Sequence, residues 1–248
     1  MKSVLQTLRS TDWIKDCSDE IPDIATAYDI QSRAMAEIAK ERGGFAGYKI
    51  AFNSAALLQK LKIKHPAVGR ILADQVFESH VKIDAAQYRN FMIEPEIAAV
   101  LGEDIVAGEH VTIERAEAAV SRYFPAFELL DRRNFEGMMH VPTVVAHNVF
   151  NAGIVCGGPG VTPADFDWKN AETQCSDNGD TVVQGFGTAP QNPAEAVAFI
   201  ANHFIARGQN LPKGSLLLLG AHCPLYKVEA GREMRLSIGA LGEVSFST

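Results

Sequence analysis

Two glutamates stand one residue apart in an otherwise apolar stretch, "IEPEIAAVL", at residues 93 to 101. Side chains two apart on a β-strand project from the same face, so Glu94 and Glu96 would lie side by side. Like charges at that separation are unfavourable unless a cation or a shared proton compensates for them. Pro95 cannot donate to a β-ladder and indicates an edge strand or a bulge. An edge strand with an acidic solvent face therefore explains this stretch equally well.

A third glutamate favours the metal-binding alternative. Glu128 is a lone carboxylate in "YFPAFELLD", again an apolar run typical of a strand. Three carboxylates without a histidine or cysteine ligand pattern suit a hard divalent ion held by oxygen atoms, Mg²⁺ or Mn²⁺. The sequence therefore predicts Glu94, Glu96 and Glu128 as metal ligands, with coordination positions left open for water and a chelating substrate.

Two further ionisable residues lie in apolar segments. Lys49 is in "GYKIAF", where it would extend its ammonium to solvent, anchor an anion or have a lowered pKa. Asp74 lies in "ILADQVF", which resembles a strand. Alone, either is more often structural. Together with the three glutamates, Lys49 and Asp74 are predicted to be catalytic.

The pattern of elements predicts an α+β fold. Apolar residues at helical spacing run from Pro22 to the glycine pair at 43 and 44, and a shorter helix follows with Ser54 as its N-cap. From about residue 70, short β-type segments recur, interrupted by a surface helix that begins at "NPAEAVAF". The C-terminal "LSIGALGEVSFS" is typical of a hairpin. We predict a helical N-terminal portion, residues 1–65, and a β-rich domain, residues 66–248, in one compact unit.

Composition excludes several functional classes. A net charge of −7 and the absence of clustered basic residues argue against a nucleic-acid partner. No apolar run approaches the ~20 residues of a membrane span, and no signal-peptide core is recognised, so a cytoplasmic location is expected. The four cysteines form no CxxC pair. The glycine-rich "GGPG" and "VQGFGT" lack the spacing of nucleotide-binding loops.

Several motifs together resemble those of the 2-keto-4-pentenoate hydratases and 4-oxalocrotonate decarboxylases, within the fumarylacetoacetate hydrolase superfamily. The matching segments follow one another over residues 22 to 248: "PDIATAYDIQ", "GYKIAF", "HPAVGRILADQVF", "IEPEIAAVLGEDI", "FPAFELLD", "GGPG", "NPAEAVAFIAN" and "LPKGSLLLLGA". The resemblance implies a mixed β-roll in which Glu94, Glu96 and Glu128 hold Mg²⁺ or Mn²⁺. It also implies a homo-oligomer, with a sister hydratase or decarboxylase as a further partner.

The resemblance implies a reaction as well. A 2-oxo or 2-hydroxy-dienoate would chelate the metal through its carboxylate and 2-oxygen, and the metal would act as a Lewis acid. Lys49 would neutralise the carboxylate or enolate, and Asp74 would move protons or orient water. The leading hypothesis is a hydratase of a 2-keto-4-pentenoate-like acid. The alternatives are a decarboxylase, an acylpyruvate-type C–C hydrolase, and a non-catalytic partner subunit.

The chain departs from the family pattern at segments expected to border the pocket. "AHNVFNAG" has His147 where an aspartate is usual and Phe150 where a small residue is usual. "QNP" places Gln191 and Asn192 at the start of the late helix in place of Gly-His. Leu219 replaces a threonine, and His222 and Cys223 follow Ala221. These departures concern the substrate more than the metal.

Overall fold

A computed structural model describes residues 2–133 and 139–248. The described residues form six α-helices: α1 (Lys2–Leu8), α2 (Ile24–Glu41), α3 (Ala55–Leu61), α4 (Ile113–Ala119), α5 (Val141–Ala146) and α6 (Pro193–Ile205). They also form thirteen strands: β1 (Phe45–Ala51), β2 (Ala67–Leu72), β3 (Val76–Glu78), β4 (Val81–Lys82), β5 (Phe91–Leu101), β6 (Val120–Asp131), β7 (Asn151–Cys156), β8 (Glu172–Asp177), β9 (Asp180–Phe186), β10 (Leu216–Ala221), β11 (Tyr226–Lys227), β12 (Glu233–Ile238) and β13 (Glu243–Ser247).

The strands make two mixed sheets. The larger has the order β2-β1-β10-β5-β6-β7-β3, with β11 added to β5, and the smaller has the order β4-β13-β12-β8-β9. β1 pairs with β10 in parallel, β3 with β7 in parallel, and β5 with β6 antiparallel along its whole length. The predicted α+β fold with a helical N-terminal portion is confirmed, as is the C-terminal hairpin formed by β12 and β13.

The larger sheet is rolled. Its two terminal strands, β2 and β3, are consecutive in the chain and joined only by the 3₁₀ turn Ala73–Gln75. Asn148, three residues before β7, links the β2 edge to the segment that leads into β7 through its side chain. Its Oδ1 accepts from the Arg70 N–H at 2.8 Å and its Nδ2 donates to the Arg70 carbonyl at 2.8 Å. One amide thus satisfies both backbone groups of a residue on the β2 edge.

The roll has an apolar interior and an apolar outer face. The interior is filled by six buried side chains from five strands: Ile71, Ala98, Phe124, Ala126, Ile154 and Leu218. On the outer face, Phe127 meets Phe246 of the smaller sheet edge to face, with ring centroids 5.2 Å apart. Alternation along each strand separates the two faces. A polar group on the interior face of β5 or β6 is therefore enclosed by the sheet itself.

The N-terminal helices agree with their sequence signals. α2 starts where Asp23 accepts from the Thr26 N–H, and α3 starts where the predicted cap Ser54 accepts from the Leu57 N–H. β1, which lies in the predicted N-terminal portion, is hydrogen-bonded between β2 and β10. The division at residue 65 stays a prediction.

One alternative for Pro95 is wrong, and so is the strand placement of Asp74. Pro95 is not on an edge strand, because β5 lies between β10 and β6, but the β5–β10 pairing is irregular beside it, with a register shift between Leu218 and Ala221 of β10 that agrees with the bulge alternative. Asp74 is not in a strand, because β2 ends at Leu72 and Asp74 lies in the 3₁₀ turn at the curl of the roll. Among the residues the structure describes, no helix is long and apolar enough to cross a membrane.

Candidate metal centre

The three predicted glutamates converge on the interior face of the roll. Glu94 of β5 is directly opposite Glu128 of β6, and Glu96 follows two residues along the same face. One carboxylate oxygen from each lies within 4.8 Å of the others. Glu96 and Glu128 are fully buried, whereas Glu94 retains some exposure. The spacing of two along β5 and the cross-strand register together bring the three carboxylates to one point.

Lys49 reaches the same point from β1. Its Nζ lies 3.0 Å from Glu128 Oε2, and its side chain is 1% exposed. Gly69, directly opposite Lys49 on β2, leaves room for the lysine stem, since a Cβ there would be 3.3 Å from Lys49 Cγ. The alternative in which Lys49 extends to solvent is wrong. Its ammonium is instead the buried counter-charge of the carboxylates.

Burial dominates the protonation of this cluster. Burial raises the pKa of Glu94 to about 7. It raises the pKa of Glu96 well above the usual range for a glutamate, and it also raises the pKa of Glu128. Burial alone would lower the pKa of Lys49, but the attraction of Glu128, Glu94 and Glu96 outweighs it and raises that pKa. When all four groups are ionised, three carboxylates face one ammonium. A divalent cation would balance the charge that is left.

The donor set fits a hard divalent cation. Glu96 Oε2 accepts from the Gly220 N–H at 2.8 Å, while Glu96 Oε1 is buried and has no hydrogen-bond partner within residues 2–133 and 139–248. Such an orphaned carboxylate oxygen is costly unless something else binds it. All three residues offer oxygen ligands, the type that Mg²⁺ and Mn²⁺ prefer. Glu94, Glu96 and Glu128 would hold the ion.

We expect Mg²⁺ binding to compete with protons at this centre. With the folded pKa of Glu94 near 7 and an ordinary value of 4.5, the metal-free folded state binds more protons than the unfolded state between these pH values. Its free energy of unfolding should therefore fall as the pH rises through that window. The Mg²⁺-induced rise in Tm should exceed about 3 °C at pH ~8 and be under ~1 °C at pH ~5. Thermal melts with Mg²⁺ or EDTA check this, and an equal rise at both pH values would contradict it.

Two residues that matter at the centre were not among the predicted site residues. Gly220 donates its N–H to Glu96 with a φ of 113°, and a Cβ there would lie 2.3 Å from Asn53 Nδ2. Asn151, the first residue of β7, donates from Nδ2 to Glu128 Oε1 at 2.8 Å. The glycine after the leucine run was a usable signal for the first. For Asn151, only its place in the divergent "AHNVFNAG" segment drew attention.

Substituting Gly220 with alanine should disturb the centre through the backbone. The added Cβ meets the Asn53 amide, and φ of 113° is strained for any residue with a side chain. We expect Gly220→Ala to lower stability by about 2 kcal/mol and to weaken Mg²⁺ binding by roughly tenfold. Gly208→Ala, also at positive φ but with open space around its Cα, is the matched control and should leave Mg²⁺ binding unchanged. Equal Mg²⁺ affinity in the two variants, measured by calorimetry, would contradict this.

Asp74 is not brought into contact with the carboxylates. Its Oδ2 accepts from Arg42 Nε at 2.7 Å, and its side chain is 45% exposed. Asp74 does line a cavity of about 780 Å³, and Asn151 lines the same cavity. The predicted catalytic role of Asp74 therefore stays a prediction, linked to the centre only through that shared cavity.

The divergent segments fall into two groups. His147 and Phe150 line the cavity, and burial lowers the pKa of His147 to about 4, with Nδ1 2.8 Å from the Thr143 carbonyl. Asn192 instead caps α6 by accepting from the Ala194 N–H. His222, just after β10, is buried with Nδ1 near the hydroxyls of two threonines, and its backbone N–H donates to the Pro95 carbonyl.

The protein has a rolled mixed sheet that encloses three carboxylates. This arrangement places it in the class of divalent-metal-binding β-roll proteins. Residues 58–247 match the family model described as fumarylacetoacetate (FAA) hydrolase C-terminal. The chain belongs to that family.

The chain is also similar to individual proteins of known name. The chain is 31% identical over 247 residues to a 2-hydroxyhexa-2,4-dienoate hydratase of Comamonas testosteroni, covering 97% of this chain and 92% of that protein. It is 29% identical over 240 residues to a 4-oxalocrotonate decarboxylase of Pseudomonas sp, covering 93% and 89%. The solved structure of 4-oxalocrotonate decarboxylase from Pseudomonas putida G7, complexed with magnesium and adipate, superposes with a TM-score of 0.91 at 23% identity, covering 99% of this chain and 94% of that one.

Proposed function

We propose that this protein is a divalent-metal-dependent lyase acting on a 2-oxo or 2-hydroxy-dienoate, most simply a hydratase of a 2-keto-4-pentenoate-like acid. The observation that carries the proposal is the buried centre of Glu94, Glu96 and Glu128 with Lys49 at 3.0 Å. The hydratase and decarboxylase relatives, each aligned over most of its length, support it. The ion is Mg²⁺ or Mn²⁺, and a soluble cytoplasmic homo-oligomer is the proposed form.

The metal, Lys49 and Asp74 have different proposed roles in the reaction. When bound, the metal would supply Lewis-acid stabilisation of charge on the 2-oxygen of the substrate. Lys49 places a permanent positive charge beside Glu128, where it would attract the substrate carboxylate. The apolar filling of the roll excludes water from the far side of the centre. Water addition would then give a 4-hydroxy-2-oxo acid. Asp74 is the proposed proton-transfer group, a role that requires its ion pair with Arg42 to open.

The two competing reactions, decarboxylation and acylpyruvate hydrolysis, require different catalytic groups. Decarboxylation of a 4-oxalocrotonate-like acid uses the same centre, and a relative named for that reaction keeps it as the second candidate. Acylpyruvate hydrolysis calls for a Glu-His pair. Of the two histidines in the divergent segments, His147 contacts a backbone carbonyl and His222 contacts two hydroxyls. Neither contacts a glutamate, so hydrolysis has less support.

Product analysis tests the proposal. Purified protein with Mg²⁺ should consume 2-hydroxypenta-2,4-dienoate, and NMR should show a 4-hydroxy-2-oxo acid. EDTA should stop the reaction, and either Mg²⁺ or Mn²⁺ should restore it. With 4-oxalocrotonate as substrate, loss of CO₂ would identify a decarboxylase instead. No turnover of either acid, together with no Mg²⁺-linked rise in Tm, would identify a non-catalytic partner subunit.

A further inference from the structure

The side chain of Asn151 lies between the carboxylate centre and the cavity. Its Nδ2 donates to Glu128 Oε1 at 2.8 Å, and the residue also lines the cavity of about 780 Å³. Its Oδ1 is buried and accepts no hydrogen bond from any residue in the described ranges. A buried amide oxygen without a donor is uncommon in folded proteins and costs free energy.

The orientation of this amide follows from its neighbour. An ionised carboxylate only accepts hydrogen bonds, so the NH₂ group must face Glu128 and Oδ1 must point away from it. Amide bond lengths hold Oδ1 roughly 2.2 Å from Nδ2. Oδ1 therefore lies within about 5 Å of Glu128 Oε1, close enough to contact a ligand bound beside that carboxylate.

The backbone before Asn151 is unusual. Asn148, Val149 and Phe150 all have positive φ, of 56°, 51° and 62°. This conformation is strained for residues with side chains, and most of all for β-branched Val149. The Asn148 clamp on Arg70 holds the strained turn at one end, and Asn151 leaves it at the other. The position of the Asn151 amide is thus fixed by the closure of the roll.

We propose that Asn151 is a specificity-determining residue whose Oδ1 accepts a hydrogen bond from the 2-hydroxyl of the ligand. It would favour the 2-hydroxy (enol) form of the substrate over the 2-oxo form, because only a hydroxyl can donate to Oδ1. The same side chain positions Glu128 through Nδ2. The inference rests on the proposed function, since it places the ligand at the glutamate centre.

Matched ligands separate the two roles. Lactate and pyruvate are both three-carbon carboxylates, but only lactate carries a 2-hydroxyl donor. Their dissociation constants are measured by calorimetry at saturating Mg²⁺, with both lactate enantiomers, for the wild type, Asn151→Ala and Asn151→Leu. Mg²⁺ affinity is measured first without either acid. Gln75→Ala, which alters another residue lining the cavity, is the control.

Loss of the Nδ2 contact should weaken Mg²⁺ binding by roughly 10-fold or more in both Asn151 variants. At saturating Mg²⁺, binding of the preferred lactate enantiomer should weaken roughly 3- to 10-fold further, while pyruvate should change less than about 2-fold. Gln75→Ala should leave the Mg²⁺ affinity unchanged, and it should also leave the lactate and pyruvate dissociation constants unchanged relative to each other. Equal weakening of lactate and pyruvate would overturn the proposal and leave Asn151 as a positioning residue only. Failure of the wild type to bind Mg²⁺ would instead overturn the proposed function.

Discussion

Replacing Glu96 with glutamine is expected to abolish the Mg²⁺ response while leaving the fold at least as stable as in the metal-free wild type at pH ~8. Glu96 is fully buried, and burial and the neighbouring glutamates raise its pKa well above the usual range. Its ionised form therefore destabilises the metal-free fold at any pH high enough to deprotonate it. Glutamine removes that charge and still accepts from the Gly220 N–H.

The effect on catalysis should be large. A metal ion contributes several kcal/mol of charge stabilisation, and each 1.4 kcal/mol is a factor of ten, so kcat/KM should fall by roughly 10³-fold or more. Glu243→Gln, at an exposed position of β13, is the control and should behave as wild type. Melts with and without Mg²⁺ and steady-state kinetics are the measurements. A Glu96→Gln variant that kept the Mg²⁺-induced rise in Tm would exclude Glu96 as a ligand.

The sequence allowed half of the carboxylate geometry to be predicted. Spacing alone placed Glu94 and Glu96 on one face, because the strand period is fixed by backbone geometry. Spacing could not show that Glu128 lies directly opposite Glu94, since cross-strand register depends on the turn and on the packing of both faces. Glu128 was predicted to lie near Glu94 and Glu96 only because a bound metal ion would require a third oxygen ligand.

The errors have a common physical cause. Pro95 was expected on an edge or at a bulge because proline lacks an N–H; β5 is not an edge strand, the register of β10 shifts beside Pro95, and the Pro95 carbonyl still accepts from the His222 backbone N–H. Asp74 was placed in a strand because its neighbours are apolar. That segment instead turns, because β2 and β3 lie at opposite edges of the same rolled sheet. Closure of the roll is a tertiary property that local periodicity does not report.

The positions of Gly220 and Asn151 depend on backbone conformation. Gly220 serves Glu96 only because its φ of 113° turns the N–H toward the carboxylate. Asn151 serves Glu128 only because three residues before it adopt positive φ. Asn148 is a residue type that tolerates positive φ, but Val149 and Phe150 do not favour it, so composition and periodicity give no signal for three such residues in a row.

Replacing Lys49 with methionine should separate metal binding from catalysis. The variant removes the ammonium 3.0 Å from Glu128 Oε2 and leaves three carboxylates, two of them fully buried, without a protein counter-charge. Their pKa values should rise further, so that the metal-free variant is stable at pH ~5 and loses stability as the pH rises, more steeply than the wild type. Breaking a buried ion pair from one side costs about 3–5 kcal/mol when the remaining charge stays ionised.

Mg²⁺ should restore the stability of Lys49→Met at pH ~8, because the centre has become more negative and attracts the cation more strongly. Activity should not return: without the lysine to neutralise the substrate carboxylate, kcat/KM should stay roughly 10²-fold or more below wild type. Lys213→Met, at an exposed position, is the control. Calorimetry of Mg²⁺ binding and kinetics on the same samples give both readouts. If Mg²⁺ restored full activity together with stability, Lys49 would be only a structural counter-charge to the glutamates, and the proposed substrate contact would be wrong.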